Sequence, residues 1–377
     1  MSSITPSGAA SSISDLGDRL DALRLGSEKA TTSPSRNILS NVHTDDIHGL
    51  IQIASDRLVS GSKDTTCKIY LSDNWSTKRP LTKTLASGSR GYTNWVTALA
   101  KINESGLWVS ARRNGEIEVW DKEGVEVTRA HYTPPSRGIS KERNLSRINC
   151  VSAFPFSASA EAIQFYTGTP LFIQLWSLSL SAKPSLRLDW QARSSANDWI
   201  YTIHPLDSFN LSVVIGTKLY KWNVEDRSKV KSESLFAPAP AEERLRQRPF
   251  ISSICPLTSD VNRLTMAFFG GKVALLDMTT KTVIATHNEH IGRVWSVQNI
   301  REHCFASGAD DSLIKIWDER VSHSVGTISG NPGRVSCLLQ LQENSLVSAS
   351  CPDDVYSSEE KASLSFWDLR RLDSKTK

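Results

Sequence analysis

Residues 290–318, HIGRVWSVQNIREHCFASGADDSLIKIWD, decide the fold. The stretch has a polar turn carrying His290, an apolar run from Val294 to Val297, and a second run ending in Ser307. A tight Asp310-Asp311 turn follows, then an alternating segment, Ile314 and Ile316, that closes on Trp317-Asp318. Short alternating runs bounded by turn residues read as strands. Four polar residues stand among them: His290, Ser307, Asp311 and Trp317. A carboxylate can accept from an imidazole, and a hydroxyl can link the ring to an indole N–H. Such a network is tolerated in a core only when every member is satisfied.

The same four places recur earlier, in HTDDIHGLIQIASDRLVSGSKDTTCKIY. His43 and His290, Ser60 and Ser307, Asp64 and Asp311, and Tyr70 and Trp317 are all separated by the same 247 positions. Two unrelated hairpins are the competing reading, and four matches at one offset weigh against it. The pattern resembles one WD-repeat blade of a β-propeller, which implies a four-stranded sheet with these residues as its buried tetrad.

The apolar residue that opens each inner strand counts the blades: Ile47, Val96, Ile148, Ile200, Ile251, Val294 and Val335. The closing position reads Tyr70, Trp120, Trp176, Trp222, Leu276, Trp317 and Trp367. The middle of the chain departs from the pattern. The second blade has Tyr92 and Asn114 where His and Asp are expected, and the third to fifth lack the Asp. Seven blades are the reading; misreading one degenerate unit gives six or eight. Residues 36–40, RNILS, have no blade ahead of them, so they complete the last one and close the ring. The expected fold is all-β, a single seven-bladed propeller over 36–372, preceded by a mostly disordered tail, 1–35, and followed by a short tail, 373–377.

Composition agrees with a soluble all-β chain: 377 residues, 20 Gly, 15 Pro and no apolar run of membrane-span length. A formal charge of +4 is too small, spread over this length, to argue for nucleic acid by itself. Six cysteines, mostly in predicted strands and with no Cys-x-x-Cys pair, read as buried apolar fillers in a reducing compartment, the cytoplasm or nucleus. Within the tail, Ile13, Leu16, Leu20 and Leu23 recur at helical spacing, which predicts an amphipathic helix over 13–25. So short a helix needs a partner surface, or it packs on the propeller's own side.

The loops from fourth strand to next blade, and from second to third strand, open on the face that holds the tetrad His and Asp. The three longest insertions fall there: His131–Ser146, Ala237–Pro249 and Cys351–Ala362. Long loops concentrate function, so this is the expected partner face. The residue before each opening position points to the channel mouth on that face: Asp46, Trp95, Arg147, Trp199, Phe250, Arg293 and Arg334. Arginines suit carboxylate or phosphate and aromatics supply rigid contact area, so the expected ligand is an acidic or phosphorylated peptide with an apolar anchor. For any single aromatic, filling the channel is an equal reading; the ring as a set favours recognition.

On the opposite face, Trp317-Asp318-Glu319-Arg320 and Trp367-Asp368-Leu369-Arg370 repeat as Trp-Asp-x-Arg. The run ASGADDSLIKIWDER resembles the box of WD-repeat substrate receptors of cullin-four ubiquitin ligases. The resemblance implies that Arg320 and Arg370, with the helix carrying Leu16, Leu20 and Leu23, dock a cullin-RING ligase adaptor. Surface ion pairs are the alternative role for both arginines. A ribonucleoprotein-associated propeller is a further class, since Arg147, Arg293, Arg334 and the run Arg244, Arg246, Arg248 suit phosphates. No catalytic constellation, metal set or cofactor motif assembles. His287 and His290 lack a completing Cys or carboxylate pair, and Gly270-Gly271 reads as a strand turn.

Overall fold

The computed structural model describes residues 36–72, 75, 81–86, 94–134, 145–154, 162–194, 198–239, 249–342, 344–351 and 361–370. The regular elements among them are strands, arranged in seven antiparallel sheets of four. A first strand, β1 (Arg36–His43), precedes the blades. Blade 1 is β2 (Ile47–Ala54), β3 (Arg57–Ser62), β4 (Thr66–Leu71) and β5 (Leu81–Ala86). Blade 2 is β6 (Val96–Lys101), β7 (Trp108–Arg112), β8 (Glu116–Trp120) and β9 (Glu126–His131). Blade 3 is β10 (Cys150–Ala153), β11 (Ala162–Gly168), β12 (Phe172–Ser179) and β13 (Ser185–Arg193). Blade 4 is β14 (Ile200–Pro205), β15 (Asn210–Ile215), β16 (Lys218–Asn223) and β17 (Lys231–Phe236). Blade 5 is β18 (Ile251–Pro256), β19 (Arg263–Phe268), β20 (Val273–Asp277) and β21 (Thr282–His287). Blade 6 is β22 (Val294–Arg301), β23 (Cys304–Ala309), β24 (Ile314–Asp318) and β25 (Ser324–Ile328). Blade 7 is β26 (Arg334–Gln342), β27 (Ser345–Cys351) and β28 (Ala362–Asp368), completed by β1 in the order β1-β28-β27-β26.

The ring is therefore closed by the start of the chain pairing with its end: Arg36 lies opposite Trp367 and Leu39 opposite Leu364. An outermost strand lent to another blade joins the two termini through backbone hydrogen bonds. β28 runs from the tetrad face to the opposite face, so β1 begins on that opposite face, beside Trp367.

The core lies between blades. Seven buried apolar clusters correspond to seven blade-to-blade seams: Val59, Ile69, Val96 and Trp108 join blades 1 and 2, while Val335 and Leu346 of blade 7 meet Ile300 and Ile314 of blade 6. Every opening residue named above is at most 1% exposed. Two glycines let neighbours approach at these seams. A Cβ on Gly61 would stand 2.5 Å from Val96 Cγ1, and one on Gly308 would collide with Val335 in the same way.

A polar stitch accompanies the apolar seam. In five blades the residue directly after the opening position reaches across to the backbone carbonyl of the next blade's opening residue. His48 donates to Val96 O at 3.2 Å, Thr97 to Ile148 O at 2.5 Å, Asn149 to Ile200 O at 3.0 Å, Ser252 to Val294 O at 2.5 Å and Ser336 to Ile47 O at 2.9 Å. Blades 4 and 6 carry Tyr201 and Trp295 at this place and make no such bond.

Gly308→Ala is expected to destabilise the protein by about 1–3 kcal/mol, the usual cost of overpacking a filled interior. Gly270→Ala, whose Cβ would meet nothing within 4 Å, is the matched control and should be neutral to within ~0.5 kcal/mol. Urea unfolding of both variants checks the difference.

Candidate interaction face

The tetrad-face turns are built around two matching relays. In blade 6, Trp317 Nε1 donates to Ser307 Oγ at 2.7 Å, Ser307 meets His290 Nε2 at 2.7 Å, and His290 Nδ1 donates to Asp311 at 2.8 Å. In blade 1 the distances are 3.0 Å for Tyr70 to Ser60, 2.6 Å for Ser60 to His43 and 2.8 Å for His43 to Asp64. The carboxylates also accept backbone N–H groups, Asp311 from Ile291 and Leu313, Asp64 from Thr44 and Thr66. Burial alone would raise these carboxyls. The histidine, through its hydrogen bond and charge, and the N–H donors more than reverse that, so both titrate below the usual carboxylate range.

Three other blades keep the relay with substitute parts. In blade 2, Trp120 donates to Ser110, Ser110 to Glu118 and Arg112 Nε to Glu118 at 2.8 Å, an ion pair with both side chains fully buried. Arg112 also donates to the carbonyls of Thr65 and Asn94, tying blade 1 to the approach of Trp95. In blade 3, Trp176 donates to Thr167 and Thr167 to Gln174 Oε1 at 2.6 Å. In blade 7, Trp367 donates to Ser348, Ser348 to Asn331 Oδ1, and Asn331 Nδ2 to Ser312 O of blade 6. Blade 5 has Leu276 at the closing place, and the buried Trp222 indole N–H of blade 4 has no hydrogen-bond partner. Tyr92 lies outside the described residues, and Asn114 turns instead to Glu116, its amide donating to the carboxylate at 2.9 Å.

At the channel mouth the structure joins four of the seven named residues into one arc, through three that sequence reasoning passed over. Arg147 lies 5.1 Å over the Trp199 ring; Trp199 neighbours Tyr201 at 6.5 Å; Tyr201 meets Phe250 edge-on at 6.1 Å. Phe250 continues to Phe269 at 6.2 Å and Phe269 to Trp295 at 5.1 Å, where Arg293 lies over both rings. These separations are those of favourable aromatic pairs. Trp95 stands apart, with Arg113 and Lys63 over its ring at 4.3 and 4.9 Å. Trp95, Trp199 and Phe250 are half-buried rim groups outside the apolar core. Arg334 differs from the expectation of a ring of ligand-ready arginines, for it is held by Asp46 at 2.6 Å.

A second row accounts for Phe269, while Tyr201 and Trp295 directly follow the opening residues Ile200 and Val294. In five blades the carbonyl of the mouth residue accepts from the backbone N–H of the residue just after the blade's second strand. Lys63 donates to Asp46 O, Arg113 to Trp95 O, Gly216 to Trp199 O, Phe269 to Phe250 O and Asp310 to Arg293 O. The position is legible in sequence, since it directly precedes the tetrad Asp in blades 1 and 6.

Residues 135–144, 240–248 and 352–360, the bulk of the three long insertions, lie outside the described residues, and the strand ends at Leu71 and Leu81 and at Ala153 and Ala162 lie on the other face. There Arg320 and Arg370 fold back, each as a fork on the Asp two residues before it, while staying 66% and 71% exposed. Glu319 is buried and accepts from Arg263, Ser259 and His303. Leu16, Leu20, Leu23 and the run Arg244, Arg246, Arg248 lie outside the described residues.

His287 packs on Trp317 at 4.6 Å with its Nδ1 on Ser322 O, while both ring nitrogens of His290 are engaged in its relay. Among the described residues no three His, Cys, Asp or Glu side chains gather as a metal set, and no helix is long and apolar enough to cross a membrane. All six cysteines are free thiols in strands.

Residues 281–318 match the family model WD40, described as WD domain, G-beta repeat. Protein SPA1-RELATED 3 of Arabidopsis thaliana is 30% identical over 86 residues, which span 22% of this chain and only 10% of that protein. Among solved structures, the WD40 beta propeller domain of Doa1 aligns with a TM-score of 0.62 at 11% identity, covering 90% of this chain and 98% of that one. The RRP9 WD40 repeats give 0.68 at 15% identity, covering 90% and 99%. U3-55K gives 0.67 at 14%, covering 89% and 100%. At such identities the likeness shows the fold alone.

The depressed carboxyls set a pH dependence. Their stabilisation is complete above the ordinary carboxylate range and is lost as pH falls through their lowered values. Asp64→Asn/Asp311→Asn is expected to be less stable at pH 7 by about 1–3 kcal/mol per site. Its stability should also fall less steeply than that of the unaltered protein below about pH 4. Chemical unfolding at pH 7 and at stepped acid pH checks both.

Proposed function

We propose that this seven-bladed β-propeller of the WD40-repeat family is a non-catalytic protein-interaction scaffold that binds acidic or phosphorylated peptide segments at its channel mouth. One observation carries the reading. Tyr201 and Trp295 stand where the other five blades place a donor for the seam, and both rings belong instead to the arc from Arg147 to Arg293. Forgoing a seam hydrogen bond for a half-exposed ring favours ligand contact over stability. Aromatics of this kind are common anchors of binding energy, and flanking guanidinium groups select acidic partners.

A second reading gives the opposite face a role: substrate receptor of a cullin-RING ubiquitin ligase. Its support is the identical fold-back of Arg320 and Arg370 in adjacent blades. The first described strand, β1, also begins on that face, with Arg36 opposite Trp367.

Tyr201→Asn and Trp295→Ser restore the side-chain types found at Asn149 and Ser252. Both variants should unfold at the same or higher urea concentration, yet lose at least about tenfold (~1.4 kcal/mol) in affinity for peptides selected by the intact protein from a random library. A selection that yields no acidic, apolar-anchored sequences would sink this reading. For the opposite face, a cullin-RING adaptor is expected to co-purify with the intact protein and not with Arg320→Ala/Arg370→Ala. If no adaptor is recovered with any form, the ligase role is wrong.

A further inference from the structure

Four arginines reach the channel mouth, and they are not electrostatically alike. Arg334 is neutralised by Asp46 at 2.6 Å. Arg293 shares its end of the arc with the Asp310 carboxylate, which accepts the Arg293 backbone N–H at 3.0 Å and the Trp295 indole N–H at 2.5 Å. Arg113 and Arg147 make no ion pair among the described residues. The Ile148 backbone N–H donates to Arg112 O at 3.4 Å, which sets Arg147 beside Arg113, and burial together with the Arg113 charge holds the Arg147 guanidinium below its ordinary value. Arg147 Nε is buried with no hydrogen-bond partner. Lys63, partly offset by Asp45 at 3.2 Å, stands with Arg113 over the Trp95 ring. His48, edge-on to Trp95, is kept toward its neutral form by burial and donates to Val96 O, so it adds no competing charge.

Two unpaired guanidinium groups and a buried unused N–H are costly in an empty site and become favourable once an anion completes it. The charge balance chooses the anion. A carboxylate neutralises one guanidinium, whereas a phosphate monoester brings about −1.5 to −2 charges and three strong acceptor oxygens. We infer that Arg113, Arg147 and Lys63, walled by Trp95, form the pocket for a phosphorylated serine or threonine side chain of the bound peptide. The inference rests on the reading of the mouth as a peptide site and gives it a direction. The phosphate lies at the blade 2 and 3 end, and the apolar anchor lies on Tyr201 and Phe250, to which Trp199 connects the pocket.

The test uses the full chain and three oriented peptide libraries, with phosphoserine, glutamate or serine fixed at the centre. The phosphoserine library should be retained at least about tenfold better than the glutamate library, because a dianion answers two guanidinium groups. Arg113→Ala/Arg147→Ala should erase that preference while apolar selection persists. Tyr201→Asn should erase the apolar selection and leave the phosphoserine preference. Equal retention of the phosphoserine and glutamate libraries overturns the pocket, as does a preference that survives the double arginine change. A second arm titrates free O-phosphoserine and follows tryptophan fluorescence. Arginine-dependent saturation without peptide retention upholds the pocket and removes the peptide reading; no saturation removes the pocket. Tighter, arginine-dependent capture of a single-stranded RNA oligonucleotide would assign the pocket to nucleic acid and overturn the inference. Arg113→Lys/Arg147→Lys, which keeps the charges and loses the fork, should retain only part of the preference and guards against misfolding.

Discussion

Contact between neighbouring blades is the constraint on which the remaining structure depends. A four-stranded sheet with apolar residues on both faces has no stable life alone, and here each face is covered only by the next blade. The opening residues are the hinge points of this arrangement. Their side chains fill the seam, five of their carbonyls accept the stitch from the preceding blade, and the residues beside them form the rim of the channel. Closure through β1 extends the same logic to the last seam, which joins blade 7 to blade 1 through Ile47, Leu50, Val347 and Leu364.

Much of the ring was legible in sequence because the seam imposes one apolar position per blade, whatever else changes. The seven openings could therefore be counted even where the polar pattern had decayed. The relays of blades 1 and 6 were legible because His, Ser, Asp and the closing aromatic keep one spacing. Those of blades 2 and 3 were not, because the acceptor moves. Glu118 and Gln174 stand opposite Ser110 and Thr167 in register, on the third strand two positions before the closing Trp. In blades 1 and 6 that place holds Lys68 and Lys315. Asn331 was open to detection, since it lies four residues before Val335, as His290 does before Val294.

The mouth shows where one-dimensional reading stops. A register argument finds the residue before each opening, and it treats Arg147, Arg293 and Arg334 as equals. Their differences arise from partners supplied by other blades: Asp46 from the far end of the chain for Arg334, and Arg113 from blade 2 for Arg147. Tyr201 and Trp295 were passed over because in sequence they are merely the second residues of two strands. Their meaning emerges only against the five blades whose equivalent side chains bind a neighbour's carbonyl.

That contrast also bears on how stability and recognition divide the same surface. The relays lie just beneath the tetrad-face turns, and Arg112 fixes the carbonyl of Asn94 immediately before Trp95. A rim residue so supported is held in place by the fold while its ring stays half-exposed. The buried Arg112–Glu118 pair thus does two things at once. It replaces the histidine relay of blade 2, and it couples blade 1 to the wall of the cationic corner. Loss of either partner would leave a charge stranded in the core. The blade that replaces the histidine relay with a buried ion pair is thus the one whose substitute holds the cationic corner of the mouth in position.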